Sequence, residues 1–210
     1  MIKIRNVSKD YGEGTVLQDF SLEMASGEMV ILLGESGCGK TTLLRILAGF
    51  EQAGEGQIWI RGRLMEENIA PNQRELAMVF QEPALWNHMS VLKNITYGMK
   101  EKNHQRLAEI MDALEISGLE HRYPEELSGG QAKRVALARA LAADREILLL
   151  DEPLSNIDAE TKKKILDFLD KNYKGKKTIL YVTHSKTEAD FFNCRQIRMD
   201  AGEKECGKGE

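Results

Sequence analysis

Apolar positions along this chain follow two spacings, and the change from one to the other outlines a fold. Residues 2–7, 20–24 and 57–61 alternate apolar with polar side chains between glycines. A period of two predicts strands with one covered face, so a small antiparallel sheet is expected within residues 1–62. Residues 29–33, 76–80, 146–150 and 178–182 are instead short apolar runs without alternation. That pattern predicts strands of a parallel sheet covered on both faces, with 178–182 as its last core strand. From about Ser90 to Ala142 the spacing turns helical, and Leu107, Ile110, Met111 and Leu114 recur at i, i+3, i+4 and i+7. The expected use of that stripe is a core face. Residues 42–48 have helical content and stop at Gly49. Together these elements predict an α/β chain.

Polar residues that interrupt the pattern carry the chemistry. Between the 29–33 strand and the 42–48 helix lies Gly34-Glu35-Ser36-Gly37-Cys38-Gly39-Lys40-Thr41, which fits G-x-x-x-x-G-K-[ST]. Backbone N–H groups of such a loop cradle phosphate oxygens, the lysine reaches the β/γ-phosphates and the hydroxyl meets Mg²⁺. Strand, glycine-rich turn and helix start is the order an anion site needs. The 146–150 run ends in Asp151-Glu152. Ligands of open α/β sheets sit outside the carboxyl ends of strands, so both carboxylates are expected at the phosphates. Asp151 is assigned to Mg²⁺, and Glu152 to the attacking water as general base.

These two motifs alone would suit many phosphate-loop enzymes, including a nucleotide kinase. A third, Leu127-Ser128-Gly129-Gly130-Gln131, precedes the apolar residues 135–142. It reads as a capping box at a helix start and, with two glycines, also as a preformed anion site. The chain then has two phosphate-binding helix ends but one lysine-bearing loop. The second end is expected to serve the nucleotide of another subunit.

On these motifs, in this order, the sequence resembles the nucleotide-binding subunit of a bacterial ABC transporter over nearly its whole length. The resemblance implies a P-loop NTPase with a RecA-like core, all of residues 1–210 forming one ATP-binding domain. It has an antiparallel β-subdomain within 1–62 and an inserted helical subdomain at about 84–142. It also implies roles for single residues. Tyr11 matches the aromatic that stacks on adenine, and Gln81 the glutamine that touches metal and water. Asp158 matches the dimer-contacting loop or, equally, caps the following helix. His184 matches the switch histidine near the γ-phosphate. ATP and Mg²⁺ are the implied cofactors. Gly34, Ser36, Gly37, Cys38, Gly39, Lys40, Thr41 and Thr42 would hold the nucleotide, with Thr41, Gln81 and Asp151 at the metal. Ser128, Gly129, Gly130 and Gln131 of the opposite subunit would cover it. Departures from the common pattern are modest: Glu35 stands where proline is frequent, Ala132-Lys133 where Arg-Gln is usual, and Asn156-Ile157 where Ala-Leu is usual.

The same resemblance implies a peripheral protein on the cytoplasmic face of the cell membrane, working with a second ATP-binding subunit as a homodimer. Its partners would be separate permease subunits and an extracytoplasmic solute-binding protein. Residues 83–91 match the loop that grips the permease, with Trp86 and Met89 as anchors or, alternatively, as packing within the helical region. Residues 80–85 and 127–142 resemble import subunits for polyamines, ferric iron, sulfate or molybdate, and sugars. Many of those carry a regulatory domain after the ATPase, and with 26 residues beyond His184 none is expected here. An alternative within the same fold is an ATP-gated regulator of a membrane complex that moves no solute.

Composition narrows the choice further. With 210 residues and 42% hydrophobic content, one domain can bury a full core. The net charge of -4 is spread over both signs, and no basic run is interleaved with aromatics, so nucleic acid is not an expected partner. Cys38, Cys194 and Cys206 lack metal-ligand spacing and suit a reducing compartment. No signal peptide is apparent, and no apolar run nears the roughly 20 residues a bilayer requires. The segment 202–210 is expected to fray.

Overall fold

The computed structural model describes residues 1–12, 14–99 and 103–199; the tail expected to fray, with Cys206, lies outside the described residues. Nine strands and six α-helices form two sheets and a helical segment among those residues. β1 (Ile2–Asp10), β2 (Thr15–Met24), β4 (Glu55–Ile60) and the short β5 (Arg63–Leu64) make an antiparallel sheet in the order β2-β1-β4-β5. Alternate side chains of β1 are buried, Ile2 and Ile4 among them, while Lys3 and Arg5 lie on the other face. Half-burial is what the period of two requires.

The second sheet is parallel, in the order β6-β7-β8-β3-β9. Its strands are β3 (Met29–Leu33), β6 (Leu76–Val79), β7 (Ile147–Asp151), β8 (Thr178–Thr183) and β9 (Arg195–Arg198). Every residue of β7 and β8 is buried, because each sheet face meets its own apolar layer. Ile31, Leu148, Leu150, Ile179 and Tyr181 point into one layer with the helical segment. Val30, Leu32, Ile147, Leu149, Leu180 and Val182 point into the other, with α1 (Lys40–Ala48) and the antiparallel sheet.

Two sequence expectations need correction. Residues 178–182 are not the last core strand, since β9 follows and pairs in parallel with β3. Its sequence, Arg-Gln-Ile-Arg, is mostly solvent-facing and carries no buried-strand pattern, as an edge strand permits. β6 is also less buried than its apolar run suggests, because it forms the opposite edge and only Val79 is fully covered.

The helical segment contains α2 (Val91–Thr96), α3 (His104–Ala113) and α4 (Gly129–Ala142). Leu107, Ile110, Met111 and Leu114 are all buried, so the helical stripe is a core face. Glu115, just past α3, accepts hydrogen bonds from Thr161 Oγ1 (2.8 Å) and Lys164 Nζ (2.7 Å) and so ties this segment to α5 (Ala159–Asn172). No helix among the described residues is long and apolar enough to cross a membrane.

Leu149 sits on the doubly covered β7 with no exposed surface. Leu149→Ala is expected to destabilise the chain by about 2–5 kcal/mol through lost burial and an unfilled cavity, measured as a lower denaturant midpoint.

Candidate nucleotide site

Parallel register brings the chemical groups together. Leu33 pairs with Thr183, and Asp151 with Val182. The ends of β3, β8 and β7 therefore lie side by side, with the phosphate loop leaving β3, His184 following β8 and Glu152 following β7. Val79 pairs with Leu150, so exposed Gln81, two residues past β6, stands at the neighbouring strand end. Phe80 before it packs at a tilt against Phe50, with ring centroids 5.2 Å apart.

The loop itself is shaped by glycine. Gly37 and Gly39 adopt φ of 87° and 97°, in the left-handed region. A Cβ on Gly39 would lie 2.6 Å from the Val16 carbonyl oxygen, so only glycine fits there, whereas one on Gly37 would meet open space. α1 starts directly behind, with no side-chain cap and no acidic residue in its first turn. Each of the other five α-helices is capped by a side chain: Ser90, Asn103, Ser128, Asp158 and Ser185. The N–H groups at the start of α1 are thus left to an incoming anion. Lys40 is buried, and its ammonium donates to the carbonyls of Gly34 (2.8 Å) and Glu35, with Cys38 Sγ at 3.4 Å. Its charge is held inside the loop by neutral partners that a phosphate can replace. Ser36 is exposed beside it, and Thr41 and Thr42 occupy the first turn of α1.

Asp151 is only 1% exposed, and its Oδ2 has no hydrogen-bond partner. Burial raises its pKa, and the Glu152 charge adds to this, while the Thr41 hydroxyl and the Lys40 charge act the other way. A buried carboxylate oxygen without a partner, beside a threonine hydroxyl, is the hard-oxygen donor set that Mg²⁺ takes. No group of three or more His, Cys, Asp or Glu that could hold a metal occurs among the described residues. Mg²⁺ commonly uses few protein ligands and fills its other positions with water and phosphate, so this is compatible with the fit.

Glu152 takes φ of 45°, and its N–H donates to the Val182 carbonyl (3.0 Å). This turn aims its side chain along the strand ends, where Oε1 lies 3.1 Å from Nδ1 of His184, whose side chain is 59% exposed. A cleft of about 280 Å³ opens beside them, lined by Glu152, Ser155, Asn156, His184 and Glu188 among others.

The remaining predicted residues are spread around this centre. Tyr11 lies exposed just beyond β1, its hydroxyl donating to Glu51 and the Lys9 ammonium 5.1 Å from its ring centroid. Ser128 and Gln131 form the reciprocal cap of α4, through Gln131 N–H to Ser128 Oγ (3.2 Å) and Ser128 N–H to Gln131 Oε1 (3.0 Å). Gly129 is exposed and Gly130 half-buried, near the Asn156 carbonyl. Asp158 caps α5, accepting from Thr161 N–H at 2.9 Å, and this bond lowers its pKa. Trp86 and Met89 are both half-buried. The Trp86 ring lies 4.6 Å from that of exposed Tyr97 and 4.6 Å from the Arg139 guanidinium carbon.

Motif reading assigned no role to Lys133, Ser155, Lys162 or Glu188. Lys133 Nζ donates to Ser155 Oγ, and Ser155 donates to the Glu152 carbonyl (2.9 Å). For Glu188 a signal existed: Ser185 three residues earlier makes a capping pattern directly after His184.

The raised Asp151 pKa has a consequence for stability. An acid whose folded pKa exceeds its unfolded value weakens the fold once the unfolded chain ionises, and the cost is complete above the folded pKa. In nucleotide-free protein, Asp151→Asn is therefore expected to raise the urea midpoint at pH 7. The gain should fade as pH falls below the ordinary aspartate value of 3.8, which parallel urea titrations would show.

The ABC transporter family profile matches residues 17–155. The chain is 44% identical over 208 residues to the Fe(3+) ions import ATP-binding protein FbpC of Escherichia coli O157:H7, covering 96% of this chain and 60% of that one. It is 43% identical to the spermidine/putrescine import ATP-binding protein PotA of Roseobacter denitrificans, covering 96% and 57%. For the maltose/maltodextrin import ATP-binding protein MalK of Mannheimia succiniciproducens the identity is 39%, covering 96% and 56%. This chain thus spans less than two thirds of the length of these curated relatives. The dimeric ATP-binding cassette MJ0796, bound to ADP and phosphate in a post-hydrolysis state, superposes with a TM-score of 0.85 at 29% identity over the whole of both chains. A bacterial Atm1-family ABC exporter with ATP bound also reaches 0.85, at 26% identity over 96% of this chain and 37% of that one. With its phosphate loop, its acidic strand end and its capped glycine turn in one α/β frame, this chain belongs to the ABC transporter family.

Proposed function

We propose that this chain hydrolyses ATP to energise solute import, acting as a dimer against separate permease subunits. The observation that carries the reading is the arrangement at the ends of β7 and β8. Unpartnered Asp151 Oδ2 is buried there, and Glu152 meets His184 beside the uncapped start of α1. Such an arrangement suits phosphoryl transfer, which relies on positioning and charge stabilisation.

In this reading Lys40 leaves the Gly34 and Glu35 carbonyls for the β/γ-phosphates, while Gly34, Ser36 and the residues from Gly37 to Thr42 line the triphosphate. Thr41 and Asp151 hold Mg²⁺, with Gln81 near it. The ion supplies charge neutralisation at the phosphate oxygens. Glu152 accepts the proton of the attacking water, and His184 holds the γ-phosphate end of the site. Tyr11 offers an exposed aromatic face to adenine. Ser128, Gly129, Gly130 and Gln131 of the partner subunit close over the nucleotide, and Asp158 lies at the same subunit contact. ATP then favours the closed pair and its loss the open one, which is how binding energy becomes motion.

The dimeric state of MJ0796 supports the pairing, and the import names of the curated relatives support the direction. Those relatives are named for iron, polyamines and maltose at similar identity, so solute choice belongs to other polypeptides. The chain is read as one ATP-binding domain, with its antiparallel subdomain within 1–62 and its helical subdomain at about 84–142. It sits peripherally at the cytoplasmic face of the membrane, and the import system includes a solute-binding protein. Trp86 and Met89 face the permease.

Glu152→Gln is expected to slow ATP turnover at least about 100-fold, the low end of what a general base contributes, and to make an Mg-ATP dimer persist in light scattering. Normal turnover in this variant would remove Glu152 from the role. Trp86→Ala is expected to leave ATP binding intact while weakening co-purification with the permease. Unchanged co-purification would assign the ring to internal packing.

A further inference from the structure

Glu188, on the short helix α6 (Lys186–Phe191), is a buried acid that the proposed mechanism does not use. It is 3% exposed, and four neighbours hold it. Oε2 accepts from Tyr181 Oη (2.9 Å) and Thr183 Oγ1 (2.9 Å), Oε1 accepts from Lys162 Nζ (2.6 Å), and its own N–H donates to Ser185 Oγ at 3.4 Å. Ser185 N–H donates in turn to Thr183 Oγ1 at 3.0 Å. Thr183 is therefore fastened to the carboxylate directly, and Ser185 to the Thr183 hydroxyl and the Glu188 backbone N–H, while the exposed His184 ring lies 3.1 Å from Glu152 Oε1. Lys162 adds a second link, since it lies on the first turn of α5, four residues after the Asp158 cap, and its N–H donates to the Asp158 carbonyl (2.9 Å).

We infer that Glu188 is the positioning residue of the site, setting where His184 stands relative to Glu152 through Thr183 and Ser185. It also joins that placement to the start of α5 through Lys162. The inference rests on the role given above to His184. Buried acceptors with several donors fix local geometry because each donor would otherwise lose a bond without gaining water. A catalytic group displaced by about 1 Å can lose on the order of 100-fold in rate.

The test uses Glu188→Gln, which keeps shape and one acceptor oxygen but loses the charge facing Lys162, with Glu188→Ala as the stronger variant and thermal midpoints as the check on folding. Glu188→Gln is expected to lower kcat for ATP by on the order of tenfold while KM stays within about twofold. Added to His184→Ala, it should lower kcat no further, because residues acting through one group are non-additive. The chain has four histidines, so His184→Ala assigns the ring signals of His184 in a carbon-13 spectrum of nucleotide-free protein. Those signals should shift in Glu188→Gln toward their position in Glu152→Gln. Additive losses in the double variant, or unmoved His184 signals, would overturn the inference. If His184→Ala alone hydrolysed ATP at the normal rate, the role of His184 would fall, and the ring signals would still decide whether Glu188 holds it.

Discussion

Parallel pairing of β7, β8 and β3 is the constraint on which the site depends. The three strands are apolar on both faces because helices cover one side and α1 with the antiparallel sheet covers the other. Their charged groups therefore emerge at the ends. Since register aligns those ends, a lysine-bearing loop, a buried aspartate, a glutamate and a histidine from distant parts of the chain converge without any contact between their motifs in sequence.

The electrostatics of the nucleotide-free state follow from this placement. Positive charge on Lys40 and negative charge on Asp151 are both withdrawn from water, the first held by carbonyls and the second left with one oxygen unpartnered. Neither arrangement favours the empty fold. Both are suited to a polyanion with a divalent cation, which would give the lysine stronger partners and the aspartate a ligand. Glu152 also holds a left-handed backbone conformation, and its side chain turns toward His184.

Around that centre the structure adds connections between elements. Lys133 on α4 reaches Ser155, which reaches the Glu152 carbonyl, so the helix begun by Ser128 touches the turn that presents Glu152. Glu188 and Lys162 make a comparable link between the His184 segment and α5. Both links run through residues to which the motifs assign no role.

The sequence by itself determined what is local. Apolar runs of strand length, the glycines at 34, 37 and 39, the Ser128 and Gln131 cap and the helical stripe through Leu107 and Leu114 each follow from short-range sterics or periodicity. The corresponding elements formed within a few residues of where they were expected. Tertiary structure decided everything that depends on neighbours. β9 was invisible because an edge strand need not be apolar, and the partial exposure of β6 reflects its position in the sheet, not its composition. Whether Lys40 and Asp151 are buried, and which four groups surround Glu188, depends on strand order and helix packing. Ser185 and Thr183 are near neighbours of Glu188 in the chain, but Lys162 lies 26 residues away, and neither that pairing nor burial has a signal in local spacing.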